Sequence, residues 1–264
     1  LKNDGVLPID PNKVKRVFVT GPNANTHAIL GDWVLEQPEE NVTTIVEGLR
    51  QIAPPGVAID YFDCGASVKH IEEARVREAA RKAKGAGVAI LVMGENPLRY
   101  ENKEKTSGEN VDRSRISLAG NQLDLVKSVS ATGVPTVVVL VGGRPLGVEW
   151  IAGHVPALVE AWEPGSKGGQ ALAEVLFGKV NPSGKLPISF PRSAGHIQTI
   201  YNHKPSQYFR KYVIGKTSPL FTFGDGLSYT TFQYSNLKVP ARIDRGQPIP
   251  VSIDVKNTGG RTGD

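Results

Sequence analysis

The sequence predicts an α/β fold: a mostly parallel sheet sandwiched by helices, with a truncated β module at the C-terminus. Three observations predict it. Short apolar runs alternate with stretches of helical spacing through the first two thirds of the 264 residues. Two of those runs, Val88–Met93 and Thr136–Val141, are apolar almost throughout, as strands covered on both faces are. Beyond Gly178 the pattern gives way to a Gly-, Pro-, Tyr- and Phe-rich segment and then to two more strand-like runs.

The first strand is Val17–Thr20, ending at Gly21-Pro22. Val42, Ile45, Val46, Leu49 and Ile52 recur at helical spacing, which predicts a helix over 42–52. A strand follows at Val57–Tyr61, a helix from Ile71 to Lys84, and a central strand at Val88–Met93. Leu123, Val126 and Val129 mark one face of another helix, and Thr136–Val141 is the clearest strand. Ala157–Ala161 is the next strand, and Gly168 to Phe177 the last helix. Strands separated by helices in this way argue a parallel sheet with helices on both sides.

Asn181-Pro182-Ser183-Gly184 signals a turn, and Pro187 to Tyr229 reads as an irregular segment wrapped over the domain. Phe232–Val239 and Pro248–Val255 read as strands of an all-β module with too few strands to close a sandwich. The expected division is an α/β domain over 1–230 and an incomplete β module over 231–264. Leu1 to Gly5 is neither an initiator methionine nor a signal peptide, so both ends are expected to be cuts through a longer polypeptide.

Composition excludes several function classes. With 39% hydrophobic and 22% charged residues the chain reads as a soluble globular protein, and its apolar runs are too short to span a bilayer. The net charge of +5 is dispersed. Its densest stretch, Arg75 to Lys84, is interleaved with Glu78 and alanines and reads as a solvated helix face, so no nucleic-acid partner is expected. Cys64 is alone, which excludes an intrachain disulfide. His27, His70, His154, His196 and His203 lack metal-ligand spacing, so neither metal nor cofactor is expected. Gly21-Pro22-Asn23-Ala24 is not a dinucleotide fingerprint, and Pro22 removes an amide donor. Neither Ser107 nor Ser166 sits in a nucleophile-elbow pattern.

In open parallel sheets, function gathers in loops at the carboxyl ends of the strands. Three such loops are polar: Gly94 to Gly108, Gly142 to Pro145, and Glu163 to Gly169. The stretch after Met93 carries four carboxylates, Glu95, Glu101, Glu104 and Glu109, and loops of that length are uncommon without a function. Its acids could equally pair with Arg99, Lys103 and Lys105 as a solvated excursion. Composition alone does not choose among the carboxylates.

The polar segments also form an ordered series. It begins with Thr20-Gly21-Pro22-Asn23-Ala24, Gly94-Glu95, and Glu109-Asn110-Val111-Asp112-Arg113 leading to Ile116-Ser117-Leu118-x-Gly120-Asn121-Gln122. Gly143-Arg144-Pro145-Leu146, Glu160-Ala161-Trp162-x-Pro164-Gly165-x-x-Gly168-Gly169 and Val175-Leu176-Phe177-Gly178-x-x-Asn181-Pro182-Ser183-Gly184-Lys185-Leu186-Pro187 follow. Tyr201-Asn202-His203-Lys204-Pro205 and Phe223-Gly224-x-Gly226-Leu227-Ser228-Tyr229-Thr230 complete it. Over essentially the whole chain this series resembles the second domain of glycoside hydrolase family 3 β-glucosidases and β-xylosidases. The tail from Phe232 resembles the start of the fibronectin type III-like module that often follows.

The resemblance implies a division of labour. A TIM-like barrel, on the same or a separate polypeptide, carries the aspartate nucleophile and most sugar contacts, and this domain supplies the general acid/base. By position before Asp112-Arg113 and the Leu118-x-Gly120-x-Gln122 run, that residue is Glu109, with Glu101 beside Tyr100 as the rival. Asp112 and Arg113 are expected to position the loop by local hydrogen bonds, and Glu95 and the Trp162–Gly169 loop to brace it. Arg99 and Tyr100 would border the aglycone site. Ala119 stands where a proline is usual, and Asp225 replaces a frequent aromatic; neither touches the catalytic assignment. Gly31-Asp32-Trp33 imitates the family's nucleophile motif, but its place in the order marks a second-domain segment, so Asp32 is not the nucleophile.

A retaining glycosidase needs two carboxyl groups about 5–5.5 Å apart, one attacking the anomeric carbon and one moving the proton. On this reading the chain holds half of an active site and is inactive alone. The expected activity is an exo-acting β-glucosidase on β-linked glucosides or short oligosaccharides. A β-xylosidase and a non-catalytic carbohydrate-binding or scaffold fragment are the alternatives. The resemblance is compatible with a periplasmic or secreted location, and an uncovered domain face with homo-oligomer formation.

Overall fold

The computed structural model describes residues 1–101, 103–196, 199–202 and 211–264. Six strands form one sheet: β1 (Lys2–Asn3), β2 (Arg16–Thr20), β3 (Ala58–Tyr61), β4 (Val88–Gly94), β5 (Thr136–Val141) and β6 (Ala157–Trp162). Their order is β1-β6-β5-β4-β2-β3, and every pairing is parallel except that of β1 with β6. Five α-helices accompany the sheet: α1 (Ile45–Ile52), α2 (Glu73–Ala83), α3 (Gln122–Ser130), α4 (Glu149–His154) and α5 (Gly168–Leu176).

Side chains alternate across a strand, so a sheet with helices on both faces needs apolar residues at every position of its central strands. In β4, Val88, Ile90 and Val92 join one core with Ile45, Val46 and Leu49 of α1 and Leu172, Ala173 and Leu176 of α5. Ala89, Leu91 and Met93 join the opposite core with Val76 and Ala79 of α2, Leu125, Val126 and Val129 of α3, and Ile151 of α4. The sandwich expected from the sequence is therefore the fold observed.

Two local departures have plain causes. The helix expected over 42–52 begins at Ile45, because Thr44 and Glu47 form a reciprocal capping box: the Thr44 hydroxyl accepts from the Glu47 amide and the Glu47 carboxylate from the Thr44 amide. Val42, though buried, stays extended ahead of it. β1 and α4 were not anticipated, since two and six residues are too few to display a period.

Beyond α5 the chain is irregular, as expected. From 187 to 229 the described residues contain a 3-10 turn at Ala194–His196 and a single bridge between Phe190 and Phe221. Phe190 is fully buried and stacks against Trp162 and Phe221, at centroid distances of 5.8 and 6.0 Å. Residues 203–205 of the Tyr201–Pro205 motif, His203 included, lie outside the described residues. Finally, β7 (Phe232–Lys238) and β8 (Ser252–Asn257) form a separate antiparallel ribbon, with Tyr234 opposite Val255 and both exposed. Among the described residues no helix is long and apolar enough to cross a membrane.

Candidate active site

The chain leaves β2 to lay β3 on one side of it, then returns to place β4 on the other. That reversal opens a crevice at the carboxyl ends of β2 and β4, the position where open α/β sheets bind ligands. The turn after β2 is drawn onto β4 there. Gly21 takes φ 121°, and a Cβ on it would lie 2.1 Å from the Val92 carbonyl oxygen, so only glycine fits. Asn23, fully within the crevice, donates from Nδ2 to the Glu95 carbonyl oxygen at 2.8 Å.

The polar loop after β4 begins on a fixed base. Buried Gln122, at the start of α3, accepts from the Gly94 amide at 2.9 Å, and its Nε2 donates to the carbonyls of Gly94 and Val68 at 2.9 and 3.0 Å. The Glu95 side chain has no exposed surface; Oε1 lies 2.8 Å from Arg113 Nη1 and Oε2 3.0 Å from Arg144 Nε. Burial pushes the Glu95 carboxyl up, against the opposing pull of Arg113 and Arg144. Arg113 thus pairs Glu95 within the same stretch, and Arg144 brings in the loop after β5.

Above that base the loop folds on itself. Asn96 exchanges hydrogen bonds with Thr106: its amide donates to Thr106 Oγ1 at 2.9 Å and its carbonyl accepts from the Thr106 amide at 2.8 Å. Asn96 Oδ1 accepts from the Leu98 amide at 2.9 Å, while Nδ2 donates to Glu101 Oε2 at 2.5 Å. Glu104 accepts from the Ser67 hydroxyl at 2.6 Å. Three of the four loop carboxylates therefore hold the loop's own shape.

Glu109 is placed differently. Its side chain is 47% exposed, and Oε2 accepts from Arg99 Nη2 at 2.5 Å. The Glu109 amide donates to Asp32 Oδ2 at 2.6 Å. Arg99 Nε and Lys105 Nζ stand 2.9 and 3.0 Å from Asp32 Oδ1. Burial works to raise the Asp32 carboxyl, but the Glu109 amide, Lys105 and Arg99 outweigh it and hold it below the usual carboxylate range. The Arg99 guanidinium lies 3.5 Å from the ring centre of Trp33, which is 74% exposed. Tyr100 is also exposed, next to Arg99.

The third polar loop closes the group. The Gly165 amide donates to the Ile29 carbonyl at 2.8 Å, and a Cβ on Gly31 would lie 2.7 Å from Glu163 Oε2. Burial pushes the Glu163 carboxyl up, and the charges of Asp32 and Glu95 add to the rise. Asp112 is exposed and has none of the local hydrogen bonds expected of it among the described residues. Asp32, Trp33, Lys105 and Arg144 were not assigned roles from sequence. The Gly31-Asp32-Trp33 tripeptide was visible as an acidic stretch between the Gly21–Ala24 turn and the next helix, and the Gly143-Arg144 pair as polar residues just past a predicted strand.

An exposed carboxyl against a guanidinium that itself lies over an aromatic ring can exchange a proton with a ligand held against it. Comparison with known proteins gives this arrangement a context. Residues 1–229 match the family described as the glycosyl hydrolase family 3 C-terminal domain. A β-xylosidase of Formosa agariphila is 37% identical over 276 residues, spanning 100% of this chain and 37% of that protein. A periplasmic β-glucosidase of Salmonella typhimurium is 33% identical over 289 residues, spanning 97% of this chain and 36% of that protein. The solved structure of a β-glucosidase from Listeria innocua in complex with glucose matches with a TM-score of 0.85 at 29% identity, over 98% of this chain and 36% of that one. The chain spans a little over a third of the length of the curated relatives it matches. It belongs to glycoside hydrolase family 3, as the C-terminal α/β domain of that family.

Proposed function

We propose that this chain supplies the general acid/base, Glu109, to a retaining, exo-acting β-glucosidase whose nucleophile sits on a TIM-like barrel outside these residues. One observation carries the assignment of Glu109. Of the four carboxylates on the loop, Glu95 is sealed under two arginines, Glu101 bonds Asn96 within the loop, Glu104 ties the loop to Ser67, and Glu109 is half-exposed against Arg99, whose guanidinium lies over Trp33. A residue that must protonate a leaving oxygen and then take a proton from water has to reach both. In this structure Arg99 engages the Glu109 carboxylate, so that contact opens when a glycosidic oxygen takes its place.

Glu95, with Arg113 and Arg144, acts on this reading as the brace of the loop, and Arg99 and Tyr100 line the leaving-group side. The β7–β8 ribbon, beyond the matched residues 1–229, begins a fibronectin type III-like unit at residue 231. Its exposed apolar residues Tyr234, Leu237, Ile253 and Val255 also favour association of the isolated chain with itself.

A β-xylosidase of the same family is the second reading, favoured by the 37% identity to the Formosa agariphila enzyme. Two measurements test these assignments. The purified 264-residue chain alone is expected to show no measurable hydrolysis of aryl β-glucosides or aryl β-xylosides, and robust turnover by it would remove the need for a separate nucleophile. In the complete protein, a higher kcat/KM for aryl β-glucosides supports the first reading; a higher value for aryl β-xylosides establishes the second.

A further inference from the structure

Asp32 lies far from the polar loop in sequence, yet it touches that loop at three points. Its Oδ2 accepts the Glu109 backbone amide at 2.6 Å, and its Oδ1 faces both Arg99 Nε at 2.9 Å and Lys105 Nζ at 3.0 Å. The carboxylate is only 11% exposed and Lys105 only 7%. The Lys105–Asp32 hydrogen bond joins ionised partners, a class about twice as strong as neutral hydrogen bonds. Arg99 Nε, itself without a hydrogen-bond partner among the described residues, adds an ion-pair contact to the same oxygen. Gly108 makes the approach possible: it takes φ 93°, and a Cβ there would come within 2.5 Å of Asp32 Oδ2. Trp33 holds the same arginine from its other side, with the guanidinium 3.5 Å from the ring centre.

From this geometry we propose that Asp32 is the positioning residue of the acid/base loop, fixing the Glu109 backbone and dividing Arg99 between itself and the Glu109 carboxylate. The proposal rests on the reading of Glu109 as the acid/base. Asp32 does not act on the sugar itself, because both of its oxygens are occupied by loop donors and little of it is open to solvent. Its effect runs through Glu109 in two ways. Anchoring the amide sets where the glutamate side chain starts. Holding Arg99 Nε keeps the guanidinium from turning its full fork onto Glu109, which would leave the carboxylate bound to arginine and away from the leaving oxygen.

The test uses the complete enzyme that contains this chain and compares D32N, E109A and the double variant on aryl glycosides with poor and with very acidic leaving groups. Misplacing a catalytic group by about 1 Å costs on the order of 100-fold. D32N is therefore expected to lower kcat about 10- to 100-fold on the poor leaving group, to change KM less than about threefold, and to affect the acidic leaving group much less. In the E109A background the same substitution should change kcat less than about twofold, since there is no proton donor left to position. K105M, which removes one partner and keeps Asp32, should give a smaller loss of the same kind, and it carries the test if D32N does not fold.

A D32N enzyme with kcat within twofold of wild type on both substrates overturns the proposal. Equal losses with and without Glu109 also overturn it, because they mark a general structural defect. A failure of the underlying reading is separable: E109A would then show no dependence on the leaving group, whatever D32N does.

Discussion

Glu95 and Glu109 bracket the same loop, yet they occupy opposite electrostatic settings. Glu95 has no exposed surface and faces two guanidinium groups, from Arg113 and Arg144. Glu109 is half open to solvent and shares one guanidinium with Asp32. The backbone under Glu95 is pinned by Gln122 and by the close fit of Gly94, whose Cβ would lie 1.8 Å from the Val141 carbonyl oxygen. The backbone at Glu109 is held only through side chains among the described residues: its amide by Asp32 and its carbonyl by Lys105. On the proposed reading, the buried, doubly paired carboxylate sets where the loop stands, and the exposed one exchanges its proton. The difference separates support from chemistry within a single segment.

The largest effect on stability should come from breaking the buried member. Glu95→Gln leaves Arg113 and Arg144 facing a neutral amide in a site without solvent, and removing one partner of a buried ion pair typically costs about 3–5 kcal/mol. A thermal or urea melt of the isolated domain reads it. If Glu95→Gln melts with wild type, Glu95 is not the brace and the contrast between the two glutamates fails.

A pH-dependent effect is expected at Glu160, on β6 beside this end of the sheet. Burial pushes its carboxyl up to about 8, opposed by the hydrogen bond from the Trp162 amide. A carboxyl whose folded value is raised holds its proton in the folded state where the unfolded chain has released it, so stability falls as pH rises. The window runs from about 4.5 to about 8. Glu160→Gln should therefore gain stability relative to wild type progressively across that window and show no further relative change above it. A constant difference across the window would mean that Glu160 is ionised in the fold despite its burial.

How much of this was legible in the sequence follows from the range of each interaction. The central strands could be read because burial on both faces forces apolar residues at consecutive positions, as in Val88–Met93 and Thr136–Val141. The start of α1 was misread because Val42 continues the apolar period although Thr44 caps the helix two residues later. A bracing role for Glu95 was expected from the family resemblance, but not its two arginine partners, of which Arg144 arrives from another strand's loop and leaves no local trace. The same holds for Asp32, whose Gly-Asp-Trp setting invited comparison with a nucleophile motif while its contacts lie on a loop far along the chain. Asp112, adjacent to Arg113 in the motif, was expected to bond locally and instead points to solvent. Adjacency in a motif does not divide the structural work evenly.

The central claim is that Glu109, and not Glu101, moves the proton, and chemical rescue of the two variants in the complete enzyme tests it most directly. General acid/base groups contribute about 10²- to 10⁴-fold, so Glu109→Ala should lose that much on aryl glycosides with poor leaving groups and far less at the glycosylation step with very acidic ones. The glycosyl-enzyme should then accumulate for want of a base, and added azide, which attacks without base assistance, should restore turnover and yield a β-glycosyl azide. Glu101→Ala gives up a hydrogen bond to Asn96 and should show a modest loss with no azide product. Azide rescue of the Glu101 variant, with the Glu109 variant unaffected by it, would contradict the assignment and exchange the roles of the two glutamates.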